Sequence, residues 1–270
     1  MMEGRVLVVG GSDSGGGAGI QGDTKTITAL EGYAATAITA LTAQNTRGIF
    51  GVVAVEPSFV AKQMEVVLDD LGADCIKTGM LCSAEIVEAV VRTLERRARG
   101  IPIVVDPVMV AKGGAALLRE DARSLVSLRL LPIASLVTPN VPEAEALTGV
   151  AVKTVDDMAD AADRLLLRGA SAVLIKGGHL EGDVVTDLLR TADGEERRFV
   201  GPRIDSRHTH GTGCALASAI AAGIARGLRL TDAIERARAY VAAAIRSAPG
   251  FGSGHGPLDH AHPIAGQRLG

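Results

Sequence analysis

Residues 5–31, RVLVVGGSDSGGGAGIQGDTKTITALE, contain the first complete structural unit of this chain. Arg5 to Gly10 is a short, β-branched run typical of a buried strand, and the segment from Gly19 to Glu31 has a helical pattern. A glycine-rich loop joins the two. A strand, a turn and a helix in this order form the first half of a β-α-β unit, which predicts a parallel sheet.

The same alternation continues along the chain. Further strands are predicted at 35–41, 75–78, 103–105, 136–138 and 172–175, and a hairpin at 184–189 and 197–200 around Asp193 and Gly194. Helices are predicted at 57–71, 83–99, 117–130, 142–148, 154–168, 212–226 and 230–247. We therefore expect a single α/β domain over residues 1–270, with a mostly parallel central sheet and helices on both faces.

Chemically interesting residues follow six of the predicted strands. They are 11–17, Gln44 with Asn45, Gly79 with Met80, 106–109, Asn140 with Glu143, and 176–179. In an open α/β sheet, ligands bind outside the carboxyl ends of the strands. Six independent segments that converge on one rim predict an enzyme site there.

The composition favours a small-molecule partner. The net charge is −3, aromatic residues make up 2% of the chain, and no block of Lys or Arg occurs, which argues against nucleic acid. No apolar stretch approaches the roughly 18 residues of a membrane helix. The three cysteines, at 75, 82 and 214, form neither a Cys-x-x-Cys pair nor an even set, so we expect a protein of the reducing cytoplasm.

The segment HTHGTGCALASAIAAGIARG, residues 208–227, combines a glycine-rich turn with the start of an alanine-rich helix. Unpaired N–H groups and the helix dipole favour bound phosphate at such a turn. The same field is expected to lower the pKa of the Cys214 thiol, which makes Cys214 a candidate base. The alternative is a tight turn before a core helix whose cysteine is only a small apolar residue.

Several other polar residues have a functional and a structural interpretation. Asn140 and Glu143 could meet phosphate and magnesium-bound water, or could form a capping box. Lys176 ends an apolar strand and is more readily explained by an anion than by solvent, although it could also be a lysine at the sheet edge. Asp106 could bind metal-bound water or a substrate hydroxyl, or cap a turn. Gln44 offers a donor and an acceptor suited to a heteroaromatic edge, or could simply cap a strand end.

Two other kinds of site are disfavoured. Gly17, Gly19 and Gly22 fit G-x-G-x-x-G, but the second strand ends in LTAQN with no acidic residue for a ribose, and the loop is not a Walker motif. His208 and His210 form an H-x-H pair without a third ligand at zinc spacing. His210 is better interpreted as a residue that fixes the adjacent loop.

Eight segments resemble, in order, the hydroxymethylpyrimidine/phosphomethylpyrimidine kinases of thiamine biosynthesis, a family of the ribokinase superfamily. They read GGSDSGGGAGIQGD, ITALTAQNTRG, KTGM, VVDPVMVAKGG, TPNVPEAEALTG, VLIKGGH, THGTGC and GHGPLDH. The resemblance implies a ribokinase-like fold, a homodimer, ATP and Mg²⁺. It implies phosphorylation of 4-amino-5-hydroxymethyl-2-methylpyrimidine, and then of the monophosphate to the pyrophosphate. A pyridoxal kinase, a bifunctional enzyme and a non-catalytic vitamin sensor are the alternatives.

The resemblance also implies residue roles at the substrate end of the site. Gln44 would hold the pyrimidine edge, and Gly11, Met80 and Val108 would line the ring pocket. Asp23 is counted with these substrate residues.

At the phosphate end, Gly211, Thr212 and Gly213 would cradle the phosphoryl group and Cys214 would be the general base. The wider superfamily usually has Asp at this last position. Lys176 would assist transfer, and the ATP contacts would come from Asn140, Lys176 and Thr212. Magnesium is assigned to Glu143 and Asp106.

Overall fold

The computed structural model describes residues 3–109 and 120–264. In this part of the chain, all strands join one sheet: β1 (Arg5–Asp13), β2 (Tyr33–Asn45), β3 (Gly48–Ala54), β4 (Cys75–Thr78), β5 (Ile103–Val105), β6 (Leu136–Val137), β7 (Ala172–Ile175), β8 (Val184–Thr191) and β9 (Glu196–Pro202).

Helices connect most of these strands. They are α1 (Gly19–Ala29), α2 (Pro57–Asp70), α3 (Ala84–Arg97), α4 (Glu120–Leu125), α5 (Val141–Thr148), α6 (Val155–Leu166), α7 (Thr212–Ala225) and α8 (Leu230–Arg246). Local chemistry sets several of their starts. Ser83 caps α3 by accepting a hydrogen bond from Ile86 N, and Pro57 occupies the first turn of α2, where no N–H is needed.

The sheet order is β3-β2-β1-β4-β5-β6-β7-β8-β9. Strands β1, β2 and β4 to β7 are parallel, whereas β3, β8 and β9 each run antiparallel to a neighbour. The chain passes from β1 outwards to β3 and then returns to β4 on the other side of β1. The carboxyl ends of β1 and β4 therefore flank a topological switch point, where ligands bind in such sheets.

The two faces of the sheet have separate apolar cores. Val6 and Val8 of β1 pack with α1, α7 and α8, whereas Leu7 and Val9 pack with α2, α3, α5 and α6. Successive side chains of a strand point to opposite faces, so the continuous apolar run of β1 supplies both cores. The predicted fold class, a mostly parallel sheet with helices on both faces, is confirmed.

The prediction was incomplete at the edge of the sheet. Strand β3 was missed, because most of its side chains are exposed and show no burial alternation. Strand β2 continues past Leu41 to Asn45 and pairs with β3, so Gln44 lies within a strand rather than after one. A register shift between Ala43 and Gln44 marks the place where the pairing is irregular.

Other boundaries differ less. The predicted hairpin is confirmed as the antiparallel pair β8 and β9. Of the helix predicted at 117–130, residues 117–119 lie outside the described residues; the rest is α4 followed by a π-helical turn at Val126–Leu130. Within the described ranges, no helix is long and apolar enough to traverse a membrane.

Candidate active site

A cavity of about 1200 Å³ opens at the carboxyl ends of the parallel strands. It is lined by residues from all six segments that the sequence placed on this rim, including Gly11, Gln44, Met80, Asp106, Asn140 and Lys176. A cavity of this size is large enough for a heteroaromatic alcohol together with a nucleotide. The predicted convergence is therefore present in the fold.

The glycine-rich turn before α7 forms one wall. Gly211 has a left-handed backbone (φ 86°) at the start of this helix, and a Cβ there would overlap the carbonyl oxygen of Gly17. The Thr212 hydroxyl donates to Thr209 O at 2.7 Å, which closes the turn. Glycine is required because only it permits both this backbone and this close approach. Gly211, Thr212, Gly213 and Cys214 all line the cavity, and the start of a helix favours a bound anion.

The Lys176 ammonium lies beside this turn, together with carboxylates from two other segments. Its Nζ lies 2.9 Å from Asp106 Oδ1 and 3.9 Å from Glu143 Oε2, and a Cβ on Gly213 would lie 3.2 Å from it. Lys176 is thus not a solvated edge lysine. Opposite charges on Asp106 and Glu143 raise its pKa against the effect of burial, so it remains a cation.

Asp106 has a buried oxygen with no partner. Its Oδ1 accepts from Lys176 and, at 3.4 Å, from Thr138 Oγ1, but no hydrogen bond reaches Oδ2 among the described atoms. A buried carboxylate oxygen that is unpaired is costly unless a ligand or ion satisfies it. Magnesium is usually held by one or two carboxylates, with water and substrate phosphates as the remaining ligands, so Asp106 and Glu143 fit this ion.

Asn140 and Glu143 form the capping box that the sequence allowed as an alternative. Asn140 Oδ1 accepts from Glu143 N at 2.9 Å, and Glu143 Oε2 accepts from Asn140 N at 2.8 Å. Both side chains also line the cavity. Burial raises the pKa of Glu143 to about 7, although Lys176 opposes this shift. The structural role is therefore present, and it leaves Glu143 Oε1 outside the box.

The expected effect on Cys214 was wrong in direction. The thiol lies in the first turn of α7 as predicted, but removal from water raises its pKa to about 12. The nearby cation Lys77 lowers the pKa, but this effect is smaller than that of desolvation. The thiol is therefore protonated at neutral pH. As a base, Cys214 can act only in its thiolate form, because a thiol that carries its proton cannot take up another.

At the substrate end, Gly11 and Met80 lie against each other at the switch point. A Cβ on Gly11 would lie 3.1 Å from the Met80 sulfur, so glycine leaves room for the methionine side chain. Val108 and Gln44 line the same cavity. Residues 110–114 of the VVDPVMVAKGG segment lie outside the described residues.

Sequence reasoning missed Asp13, which organises the first glycine-rich loop. Its Oδ1 accepts from Gly15 N at 2.7 Å, and its Oδ2 from Gly17 N at 3.1 Å and Ala18 N at 2.9 Å. Its Oδ2 also lies 2.8 Å from His210 Nε2, so His210 joins this loop to the turn before α7. The signal was the Asp within the glycine run, since Asp commonly binds the backbone N–H groups that follow it.

A buried ion pair in the wall of the cavity was also missed. Lys77 Nζ lies 3.0 Å from both oxygens of Asp23, and Ser218 Oγ donates to Asp23 Oδ1 at 2.7 Å. Both charged side chains are 1% exposed. Lys77 lies in an otherwise apolar strand. The only sequence signal was that a lysine at a buried position is almost always paired with an acidic residue. The Asp23 carboxylate accepts hydrogen bonds from Lys77 and Ser218. Its expected contact with the substrate stays a prediction.

Known proteins are similar to this chain over most of its length. The family model described as phosphomethylpyrimidine kinase matches residues 13–259. The thiamine biosynthesis bifunctional protein ThiED of Geobacter sulfurreducens is 54% identical over 95% of this chain, which spans 52% of that protein, about half its length. The hydroxymethylpyrimidine/phosphomethylpyrimidine kinase of Streptomyces coelicolor is 49% identical, and the match covers 94% of this chain and 93% of that protein.

Among solved structures, the ADP complex of Bacillus subtilis pyridoxal kinase is similar with a TM-score of 0.87 and 32% identity, over 96% of this chain and 98% of that chain. This similarity confirms the ribokinase-like fold expected from the sequence motifs. The family match extends over most of the chain and includes every residue of the candidate site except Gly11. The chain therefore belongs to the phosphomethylpyrimidine kinase family.

Proposed function

We propose that the protein transfers phosphate from ATP to the hydroxymethyl group of 4-amino-5-hydroxymethyl-2-methylpyrimidine, and then to the resulting monophosphate to give the pyrophosphate. One observation carries this proposal: the Lys176 ammonium lies between the carboxylates of Asp106 and Glu143 and the backbone of Gly213. Cation, carboxylates and free helix N–H groups together form the binding environment that a transferring phosphoryl group needs.

Each residue at the phosphate end of the site would have its own role. The N–H groups of Gly211, Thr212 and Gly213 would bind the transferring phosphoryl oxygens, and Lys176 would neutralise their charge. Asn140, at the edge of the cavity, would contact the nucleotide together with Thr212. Asp106 and Glu143 would hold Mg²⁺, which supplies further charge neutralisation at the phosphates when it is bound.

In the first reaction, the hydroxymethyl oxygen bonds to the γ-phosphorus, the bond between this phosphorus and ADP breaks, and the hydroxyl proton must leave. The transition state is loose, so alignment and charge neutralisation contribute most of the rate. Cys214 carries its own proton in the free enzyme and cannot take a second one, so it would act as the base only after losing that proton to solvent, and the Lys77 charge favours this thiolate.

At the substrate end, Gln44 would pair with the amino group and a ring nitrogen of the pyrimidine, while Gly11, Met80 and Val108 would contact the ring. Pyridoxal kinase activity is the second candidate, because the fold matches pyridoxal kinase structures closely. Pyridoxal also carries a hydroxymethyl group on a heteroaromatic ring, so the same phosphate end would serve both substrates.

An ATP-coupled assay on the aminopyrimidine alcohol, its monophosphate and pyridoxal in parallel tests the proposal. We expect turnover of both pyrimidines, with pyridoxal the poorer substrate. Turnover of pyridoxal alone would establish the second candidate instead. Binding of ATP without turnover of any of the three would indicate a sensor that has kept the fold.

We further propose a cytoplasmic homodimer. The side chains of Phe50 and Val53 in edge strand β3 are 68% and 66% exposed, and such an apolar edge is typical of an interface. Cys75, Cys82 and Cys214 form no disulfide, which fits a reducing compartment. Sedimentation of the wild type and of Phe50→Glu tests the dimer: we expect twice the monomer mass for the first and the monomer mass for the second.

A further inference from the structure

His210 lies at the junction between the proposed phosphate site and the proposed pyrimidine site. Its Nε2 lies 2.8 Å from Asp13 Oδ2 and 3.3 Å from Gln44 Nε2. Its backbone N–H donates to Gly256 O at 3.1 Å, and a Cβ on Gly17 would lie 2.7 Å from its ring. The ring is therefore held in place on several sides and directly precedes Gly211 in the chain.

The partner Asp13 decides where the histidine proton is. Burial alone would raise the pKa of Asp13, but hydrogen bonds from His210 and from the backbone of Ala18 and Gly15 lower it. Asp13 is thus a carboxylate at neutral pH and can only accept. A carboxylate oxygen 2.8 Å from an unprotonated ring nitrogen would be repelled, so Nε2 carries a hydrogen and donates it to Asp13.

This hydrogen determines the orientation of the Gln44 amide. A protonated Nε2 cannot accept from an amide nitrogen, and its N–H would face an amide N–H only 3.3 Å away, so the amide oxygen must face His210 and share the hydrogen that Nε2 directs mainly at Asp13. Thr42 leads to the same conclusion from the other side. Thr42 Oγ1 lies 2.9 Å from Ser12 O and 3.1 Å from the Gln44 atom placed as Oε1, but its one hydroxyl hydrogen can serve only one of these two acceptors. The Ser12 carbonyl oxygen can only accept, so it takes the hydrogen, and the Gln44 atom that faces Thr42 must be the amide nitrogen, which donates to Oγ1.

We infer that His210 and Thr42 together hold the Gln44 amide with its oxygen towards His210 and its nitrogen towards Thr42, and that this makes Gln44 selective for an aminopyrimidine edge. A primary amide has two acceptor lone pairs and two N–H donors. One of each is used by His210 and Thr42. One lone pair and one N–H remain, which match an amino group beside a ring nitrogen.

This inference rests on the proposed function and assigns His210 a positioning role. Without the histidine hydrogen, only Thr42 holds the amide, and the orientation that presents the wrong polarity to the substrate becomes more populated. Pyridoxal lacks the amino group and depends less on this polarity. His210 therefore contributes to the choice between the two candidate substrates without touching the reacting atoms.

The test compares His210→Phe, which keeps a flat ring but has no N–H, with His210→Gln, whose amide nitrogen can still donate to Asp13. The affinity of the free enzyme for the aminopyrimidine alcohol is measured by calorimetry, and KM and kcat are measured for this alcohol, pyridoxal and ATP. We expect His210→Phe to weaken binding of the pyrimidine roughly three- to tenfold, the range for one hydrogen bond. His210→Gln should restore most of it.

In His210→Gln, which keeps the contact with Asp13, the KM of pyridoxal and of ATP should change less than about twofold, and in His210→Phe both should rise less than the KM of the pyrimidine. In a Gln44→Leu background, His210→Phe should have no further effect on pyrimidine affinity, since its effect passes through Gln44. Equal losses for both substrates and ATP, or a full additional loss in the Gln44→Leu background, would overturn the inference in favour of a purely structural role.

Thr42→Val gives an independent measurement, because it removes the other amide contact without altering the loop before α7. We expect the same selective loss, and no loss in Thr36→Val, which lies on the same strand away from the cavity. A full-affinity Thr42→Val enzyme contradicts the inference even if His210→Phe fails to fold. A wild-type enzyme that does not phosphorylate the pyrimidine refutes the proposed function instead, and removes the basis for this selectivity.

Discussion

Lys176 Nζ lies 2.9 Å from Asp106 Oδ1, so the carboxyl ends of β7 and β5 are joined by an ion pair between residues 70 positions apart. The pair satisfies only one oxygen of Asp106; the other is buried without a partner among the described residues. Glu143 lies 3.9 Å from the same ammonium. The unpaired carboxylate oxygen can bind a cation, and the ammonium can bind a phosphate.

Glu143→Gln should raise the magnesium concentration needed for half-maximal activity far more than it changes pyrimidine affinity. Gln can keep the capping box, so the start of α5 should survive the change. The wild type should also show a pH dependence: the proton on Glu143, with a pKa near 7, competes with the metal, so Mg²⁺ binding should weaken as the pH falls below 7, by up to about tenfold per unit.

The measurement is a magnesium titration of activity at several pH values for both enzymes. In Glu143→Gln the dependence near pH 7 should disappear. A titration that is unchanged in the variant would assign Glu143 to the capping box alone.

Cys214→Ala should separate the two proposed phosphorylations. The first reaction removes a proton from an alcohol, and loss of a general base should slow it about a hundredfold. The second uses a phosphate oxygen that is already ionised at neutral pH, since the second pKa of a phosphate monoester is about 6. It should slow only a few-fold.

Single-turnover rates with each pyrimidine check this, with calorimetry to show that ATP and substrate binding stay within a few-fold. Near-normal turnover of the alcohol by Cys214→Ala would remove the thiol from the base role. Equal slowing of both reactions would assign it to alignment rather than to proton transfer.

Gln44→Leu should reduce kcat/KM for the aminopyrimidine by about ten- to a hundredfold, because a buried polar edge without a partner costs roughly 1–3 kcal/mol. Pyridoxal should lose much less, since its ring would still contact Met80 and Val108. Parallel kinetics on the two compounds check this. Equal losses, or none, would mean that Gln44 does not recognise the ring.

Lys77→Met should destabilise the fold strongly. It leaves the Asp23 carboxylate buried beside Ser218 without its cation, and breaking one side of a buried pair costs about 3–5 kcal/mol. Urea unfolding of the variant measures this. Arg5→Met, which breaks the exposed pair with Asp74, is the control and should have a much smaller effect. A loss in Lys77→Met as small as in this control would contradict the prediction.

Much of the fold and rim could be predicted because the signals are local. The β1 run, the loop glycines and the alternation of strands with helices follow from residue type and spacing, and parallel topology places all strand ends at one edge. Strand β3 could not be found in this way. Its edge position leaves it exposed, and an exposed strand carries no burial pattern.

By itself, the sequence determined the α/β class, the family motifs and the segments that line the cavity, because these depend on periodicity and on chemical type. Only the tertiary structure decided which charged groups pair with each other and how burial shifts their pKa values. Lys77 finds Asp23 54 positions away, His210 finds Asp13 across 197, and desolvation raises the pKa of Cys214 where the helix alone was expected to lower it. Partners and burial arise from packing between distant segments, which no local pattern contains.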